Sequence, residues 1–254
     1  MAFLDPALNP VLQPLLNWSP FLGILVLALI LSFLVTIIYK YFTNQEEMKR
    51  LKEQQKEYQK QIKSLKDKPD EMMKVQKEAM KISGTLMKQS FKPTLITMLP
   101  MLLIFGWMSS HLTYEPIYPS ETYGITAVFE KGVTGDAELV VSEGTELLSD
   151  AIQMINSEEV TWRLKSSAGD HFLTIKTAND EQTKKVRITE DLQYEEPLGV
   201  YPKGGDITRI QINYNKLKPL GNTSLLGWQP GWLGLYIIFS ILFSMILRKA
   251  MKVY

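Results

Sequence analysis

Uncharged apolar runs alternate along this chain with charged, periodic segments. Phe21 to Tyr39 carries no charge. As a helix rising about 1.5 Å per residue it spans roughly 28 Å, close to the thickness of a hydrocarbon core. Thr94 to Leu112 is a second such run, with Pro100 at its middle, and Gly231 to Leu247 is a shorter third. The pattern predicts three transmembrane helices, the last of which needs a thin or locally adapted bilayer. Trp18, Trp107, Trp228 and Trp232 fall where one aromatic belt is expected, and Tyr39, Tyr41 and Phe91 where the other is. Pro100 is placed to kink the second span and free a carbonyl.

Between the first two spans the pattern becomes a heptad. Asn44 followed by Glu47 reads as a capping box. Met48, Leu51, Gln55, Tyr58, Ile62 and Leu65 then recur at steps of three and four. Pro69, Asp70 and Glu71 restart a helix, and Met72, Val75, Ala79, Ile82 and Leu86 repeat the spacing. Two seams joined by a short turn predict an antiparallel coiled-coil hairpin. Arms of about 20 residues make it roughly 30 Å long. Gln55 is a polar intruder in the first seam. Gly84 weakens the second arm by about 1 kcal/mol relative to alanine. The stretch from Ile82 to Phe91 is therefore expected to bend and lie in the interface.

Residues 115–225 change period again. Tyr123 to Phe129, Ala137 to Val141, Val160 to Leu164, His171 to Lys176, Lys185 to Thr189 and Ile207 to Tyr214 read as strands. Turn signals such as Thr134-Gly135-Asp136 and Gly204-Gly205-Asp206 separate them. About seven short strands predict an all-β sandwich of immunoglobulin-like type. The expected fold class is thus membrane α-helical: a three-helix transmembrane bundle, a cytoplasmic antiparallel coiled-coil hairpin and an inserted extracytoplasmic β-sandwich. The segments are 1–43 (outer segment and first span), 44–91 (hairpin), 92–114 (second span), 115–225 (outer domain) and 226–254 (third span and basic tail).

Charge sets the orientation. Residues 40–92 hold 14 basic and 8 acidic residues, residues 111–229 hold 11 basic and 18 acidic, and the tail adds Arg248, Lys249 and Lys252. The positive-inside rule places the hairpin and tail in the cytoplasm and the N-terminus and β domain outside, in a multi-pass cell-membrane protein. The N-terminus lacks the basic region of a signal peptide, so the first span is expected to persist. The absence of cysteine excludes disulfides and thiolate chemistry.

Candidate functional residues follow from helical spacing. Ser32 and Thr36, Thr94 and Thr97, and Ser240 and Ser244 each share one face of a span. With Met98 and Met101 they could line a mildly polar groove; the competing reading is hydroxyls that bond their own helix or join helices. Met72, Met73, Met80 and Met87 mark the second hairpin arm as an adaptable apolar surface or as hairpin filling. Lys49, Arg50, Lys52, Lys56, Lys60, Lys63, Lys66 and Lys68 crowd the first arm and its tip. They serve orientation alone, or they meet anionic lipid headgroups or ribosomal RNA phosphate. No charge lies well inside a span, which argues against an ion pump or voltage sensor. No phosphate loop or dinucleotide pattern occurs, and His111 and His171 lack metal-ligating companions. No cofactor, metal or enzymatic activity is expected. Asn222-Thr223-Ser224 fits a glycosylation acceptor.

The order of parts resembles the archaeal members of the YidC-like membrane insertase superfamily, which includes the insertase subunit of the eukaryotic endoplasmic reticulum membrane complex. The stretches that carry the resemblance are YKYFTNQEEMKRLKEQQKEYQKQIKSLKDKPDEMMKVQKEAMK, SFKPTLITMLPMLLIFGWM and GLYIIFSILFSMILRK. The resemblance implies a partly hydrated groove, open to cytoplasm and lipid, along which nascent membrane proteins insert without nucleotide hydrolysis. It also implies a hairpin that touches the ribosome or the nascent segment. Several relatives carry a basic residue in the first span, whereas here Lys40 and Lys92 at the inner ends are the nearest. The alternative is a non-catalytic adaptor or receptor that binds through its outer β domain.

Overall fold

A computed structural model describes residues 5–224 and 227–253. The expected boundary between the outer domain and the third span, at residues 225 and 226, lies outside the described residues. The described residues contain five helices and two antiparallel sheets. Three of the helices are long and apolar enough to cross a membrane: α2 (Pro20–Phe42), α4 (Pro69–Leu112) and α5 (Trp232–Ala250). The other two are α1 (Asp5–Trp18) and α3 (Gln45–Ser64). The chain divides into two compact units, one of Met1–Phe21 and Trp107–Trp232, the other of Leu22–Gly106 and Leu233–Tyr254.

In the second unit the spans bury a minority of each helix. Ile24, Leu27, Ala28 and Leu31 of α2 and Leu235 of α5 are buried, and Phe105 meets Tyr236 edge-on at 4.9 Å. Leu29, Ile30 and Phe33, then Leu95, Leu99 and Leu102, then Ile237, Ile241 and Ile246 are exposed on the other faces. Apolar side chains both within and around a bundle are what a lipid solvent demands.

The hairpin begins as its sequence indicates. Asn44 Oδ1 accepts the Glu47 backbone N–H at 3.1 Å and caps α3. Met48 and Leu51 are buried, and Gln55, Tyr58, Ile62 and Leu65 are half-buried. Opposite them Met72, Val75, Ala79, Ile82 and Leu86 form the half-buried face of α4. The intruding Gln55 donates across the hairpin to Ser83 Oγ at 3.0 Å.

The second arm and the second span are continuous. They form one 44-residue helix that runs through Gly84, Pro93 and Pro100. A glycine costs a helix only about 1 kcal/mol, and a proline in a membrane helix is tolerated where neighbours re-satisfy the freed carbonyl. Next to Pro93, Thr94 Oγ donates to the Ser90 carbonyl at 2.7 Å, one turn back along the same helix.

The first unit contains a helix that the apolar pattern did not announce. In α1, Pro6, Pro10 and Pro14 fall four apart on one exposed face, while Leu12, Gln13 and Leu16 are buried. Gln13 Nε2 donates to the Leu192 carbonyl at 2.8 Å, and Asn17 Oδ1 accepts the Leu192 N–H at 3.0 Å. Trp107, assigned above to an aromatic belt, is fully buried instead and donates to Asn9 Oδ1 at 3.0 Å. His111 stacks on it at 4.5 Å. Its Nδ1 lies 2.9 Å from the Trp107 carbonyl, which can only accept, so Nδ1 carries a proton and Nε2 faces Asp5 Oδ1 at 3.6 Å.

Nine strands follow: β1 (Thr122–Phe129), β2 (Asp136–Val141), β3 (Thr145–Leu147), β4 (Ile152–Met154), β5 (Glu159–Ser166), β6 (Gly169–Lys176), β7 (Glu181–Ile188), β8 (Leu198–Val200) and β9 (Ile207–Asn213). One sheet runs β3-β5-β1-β9-β8 and the other β4-β2-β6-β7. Strict alternation along β1 and β5 turns Ile125, Trp162 and Leu164 into a buried cluster shared with Leu139, Leu173 and Ile175 of the second sheet. Trp162 Nε1 donates to the Ala151 carbonyl at 3.0 Å, so its one polar atom is satisfied. β7 starts four residues earlier than its sequence suggested, and β3, β4 and β8 were not foreseen.

An ion network lies on β6 and β7. Arg187 grips Asp170 through Nε at 2.8 Å and a terminal nitrogen at 3.2 Å, and Lys185 bridges Asp170 at 2.8 Å and Glu195 at 2.9 Å. Hydrogen bonds from Arg187, then from Lys185, hold the Asp170 carboxyl well below the usual carboxylate range. A carboxyl depressed in the folded state adds stability above its unfolded pKa of about 3.9, and that stability is lost as the pH falls further. Asp170→Asn is therefore expected to flatten the decline in stability of the outer domain below about pH 4. Thermal unfolding of the full chain across an acid series checks this, and identical acid limbs for both proteins would refute it.

Candidate functional site

The polar faces of the spans meet only in part. A cavity of about 340 Å³ in the membrane unit is lined by Leu31, Ser32 and Val35 of α2, Met101 of α4, and Tyr236, Ser240, Ile241, Ser244 and Met245 of α5. It brings together Ser32, Met101, Ser240 and Ser244. Thr36, Thr94, Thr97 and Met98 are not among its lining residues.

Most hydroxyls are engaged by their own helices. Thr36 Oγ donates to the Ser32 carbonyl at 2.6 Å, Thr97 Oγ to the Thr94 carbonyl at 3.0 Å, and Ser240 Oγ to the Tyr236 carbonyl at 2.6 Å. Thr94 also shares a hydrogen bond with Tyr39 Oη at 2.7 Å. Of these only Ser240 lines the cavity; its proton is committed to its own helix, so there it can only accept, and the rest of the wall is largely apolar. Tyr236 was missed by the sequence reading although it lies four residues before Ser240, on the face that continues to Ser244 and Arg248.

On the hairpin, the four candidate methionines divide. Met72 turns into the seam, while Met73, Met80 and Met87 are 64%, 61% and 74% exposed. These three are seven residues apart, and the same step reaches Thr94, then Met101 in the cavity wall, then the buried Met108. Met98 is exposed on another side of the helix.

The basic residues divide as well. Lys49, Arg50, Lys56, Lys60, Lys63, Lys66 and Lys68 are exposed, and Lys68 lies 3.4 Å from Glu71. Lys52 is half-buried. Burial first, then the positive charges of Arg248 and Lys56, push the Lys52 ammonium below its ordinary pKa. At the hairpin-side ends of the spans, Lys92 sits over the Phe42 ring at 5.8 Å and Arg248 over the Tyr39 ring at 5.1 Å. Neither Lys40 nor Lys92 lines the cavity. No group of His, Cys, Asp or Glu suited to a metal ion occurs among the described residues.

Three apolar helices and a separate β domain define a multi-pass integral membrane protein. Residues 4–129 match the family described as integral membrane protein EMC3/TMCO1-like, a family linked to membrane protein insertion. The match takes in α1, both hairpin arms, the first two spans and β1, just under half of the chain. Over that half the chain is related to this family. No curated protein and no solved structure matches it.

Proposed function

We propose that this chain is a YidC-like insertase that assists ribosome-linked insertion of transmembrane segments through the cavity face of its spans, without nucleotide hydrolysis. The observation that carries the reading is α4. A single helix bears exposed methionines on the hairpin and a methionine in the cavity wall, so an apolar segment met on the hairpin finds apolar contacts on both sides of Thr94 as it moves into the membrane. The family match over residues 4–129 supports it. The seam residues of α3 and α4 support a coiled coil, the two sheets with one core support an immunoglobulin-like sandwich, and the exposed lysines of α3 offer a surface for ribosomal phosphate. The lysine-rich hairpin faces the cytoplasm, and the acidic β domain faces outside.

Reconstitution of the full chain into liposomes with a translating ribosome tests the function. Insertion of short-tailed membrane proteins should exceed that of empty liposomes. Met73→Gln, Met80→Gln and Met87→Gln together should lower it roughly tenfold, since about 1.4 kcal/mol of lost apolar contact has that effect. No gain over empty liposomes would end the proposal. A second reading, a receptor or adaptor, is favoured by exposed Val140, Ile152, Met154 and Phe172 on the outer domain. Phe172→Gln with Met154→Gln should abolish a receptor's activity and spare insertion.

Orientation is tested separately. In a chain without native cysteine, Glu57→Cys and Glu158→Cys occupy exposed positions on the hairpin and the outer domain. A membrane-impermeant maleimide should label only Glu158→Cys on intact cells, and Glu57→Cys after permeabilisation. The reverse pattern would invert the orientation.

A further inference from the structure

The cavity-lining faces of α2 and α5 continue toward the inner ends of those helices. From Ser32 the α2 face runs through Thr36 to Tyr39; from Tyr236, Ser240 and Ser244 the α5 face runs to Arg248. There the Arg248 guanidinium lies over the Tyr39 ring at 5.1 Å. Tyr39 is itself fixed by its hydroxyl bond to Thr94. Stacking on a tyrosine anchored in this way fixes the plane of the guanidinium and leaves its edge to hydrogen-bond.

That edge is not satisfied. Arg248 Nε is fully buried and has no acceptor. A buried, charged donor without an acceptor costs more than an ordinary lost hydrogen bond. No carboxylate among the described residues forms an ion pair with Arg248, Lys52 or Lys56. Lys52 is half-buried, and burial first, then the positive charges of Arg248 and Lys56, push its ammonium pKa down. Like charges gathered around a buried donor are stable only where an anion joins them. Lys56 is exposed, as are Lys60, Lys63 and Lys66 farther along the arm, which do not act on Lys52 in this way.

We propose that Arg248, Lys52 and Lys56, with Tyr39 as the platform, form a binding site for a phosphate group at the inner end of the spans. The chemistry fits a phosphate oxygen accepting from Arg248 Nε while the two ammonium groups neutralise its charge. A phosphodiester of an anionic lipid is the source nearest to hand at the ends of two transmembrane helices, and free inorganic phosphate presents the same oxygens. The site is independent of the insertion activity, because it requires no client.

Thermal unfolding of the full chain in neutral detergent tests the site, with phosphatidylglycerol, phosphatidylcholine or inorganic phosphate added. Phosphatidylglycerol is expected to raise the midpoint over phosphatidylcholine by roughly 3 °C or more. Arg248→Gln and Lys52→Gln should each lose at least half of that shift. Lys52→Arg should retain it, as should Lys74→Gln with Lys77→Gln on the exposed side of the second arm. If inorganic phosphate alone produces the same variant-sensitive shift, the site is one for free phosphate. Should Arg248→Gln fail to fold, Lys52→Gln and its arginine counterpart carry the comparison. The proposal is overturned if neither anion shifts the midpoint, if the shift survives in Lys52→Gln, or if the Lys74 and Lys77 control loses it equally.

Discussion

The hydrocarbon core of a bilayer offers no water to an unpaired N–H or carbonyl, and the membrane unit is organised around that fact. Helices cannot fray or turn there, so α4 continues through Pro93 and Pro100 instead of breaking. The serine and threonine hydroxyls respond to the same constraint, with Thr36, Thr94, Thr97 and Ser240 each returning a proton to a carbonyl three or four residues back. What remains for the cavity is a wall of methyl and thioether groups with few oxygens, suited to apolar segments with modest polar flanks.

Outside the spans water returns, and a different chemistry holds the chain. At the C-terminal end of α4 the Thr113 N–H is accepted by Tyr194 Oη at 3.2 Å, tying the helix end to the loop after β7. Tyr194 also packs edge-on against Tyr114 at 5.6 Å, and burial raises its phenol above the usual range. Helix α1 joins the same loop through Gln13 and Asn17. Its proline-bearing face leaves the carbonyls of Pro6 and Pro10 without their usual donors, and that face is the exposed one.

The spans and the seams were legible in the sequence because each rests on a local period. Every residue of both hairpin seams is buried or half-buried, as Met48, Leu51 and Ile82 illustrate. The misses have physical causes. Three prolines hid α1, whose stability comes from partners more than 170 residues away, such as Leu192. Strands β3, β4 and β8 are three residues each, too short to show alternation. Trp107 has the composition of a belt residue, but besides His111 one turn away it is covered by Asn9, 98 positions earlier, which no local window contains. Of the candidate site, Ser32, Met101, Ser240 and Ser244 came from spacing. The stack of Arg248 on Tyr39 joins the ends of two helices nearly 210 positions apart in the chain, and no local pattern encodes it.

The seven-residue step of the methionines has a geometric consequence. An α-helix makes slightly less than two turns in seven residues, so the row drifts by roughly 20° at each step. Between Met73 and Met108 it winds around α4 by roughly 100°. Hence the same row is solvent-exposed at Met87, enters the cavity wall at Met101 and is fully enclosed at Met108. It is a shallow left-handed screw, and any segment that keeps contact with it must rotate about the helix axis as it advances.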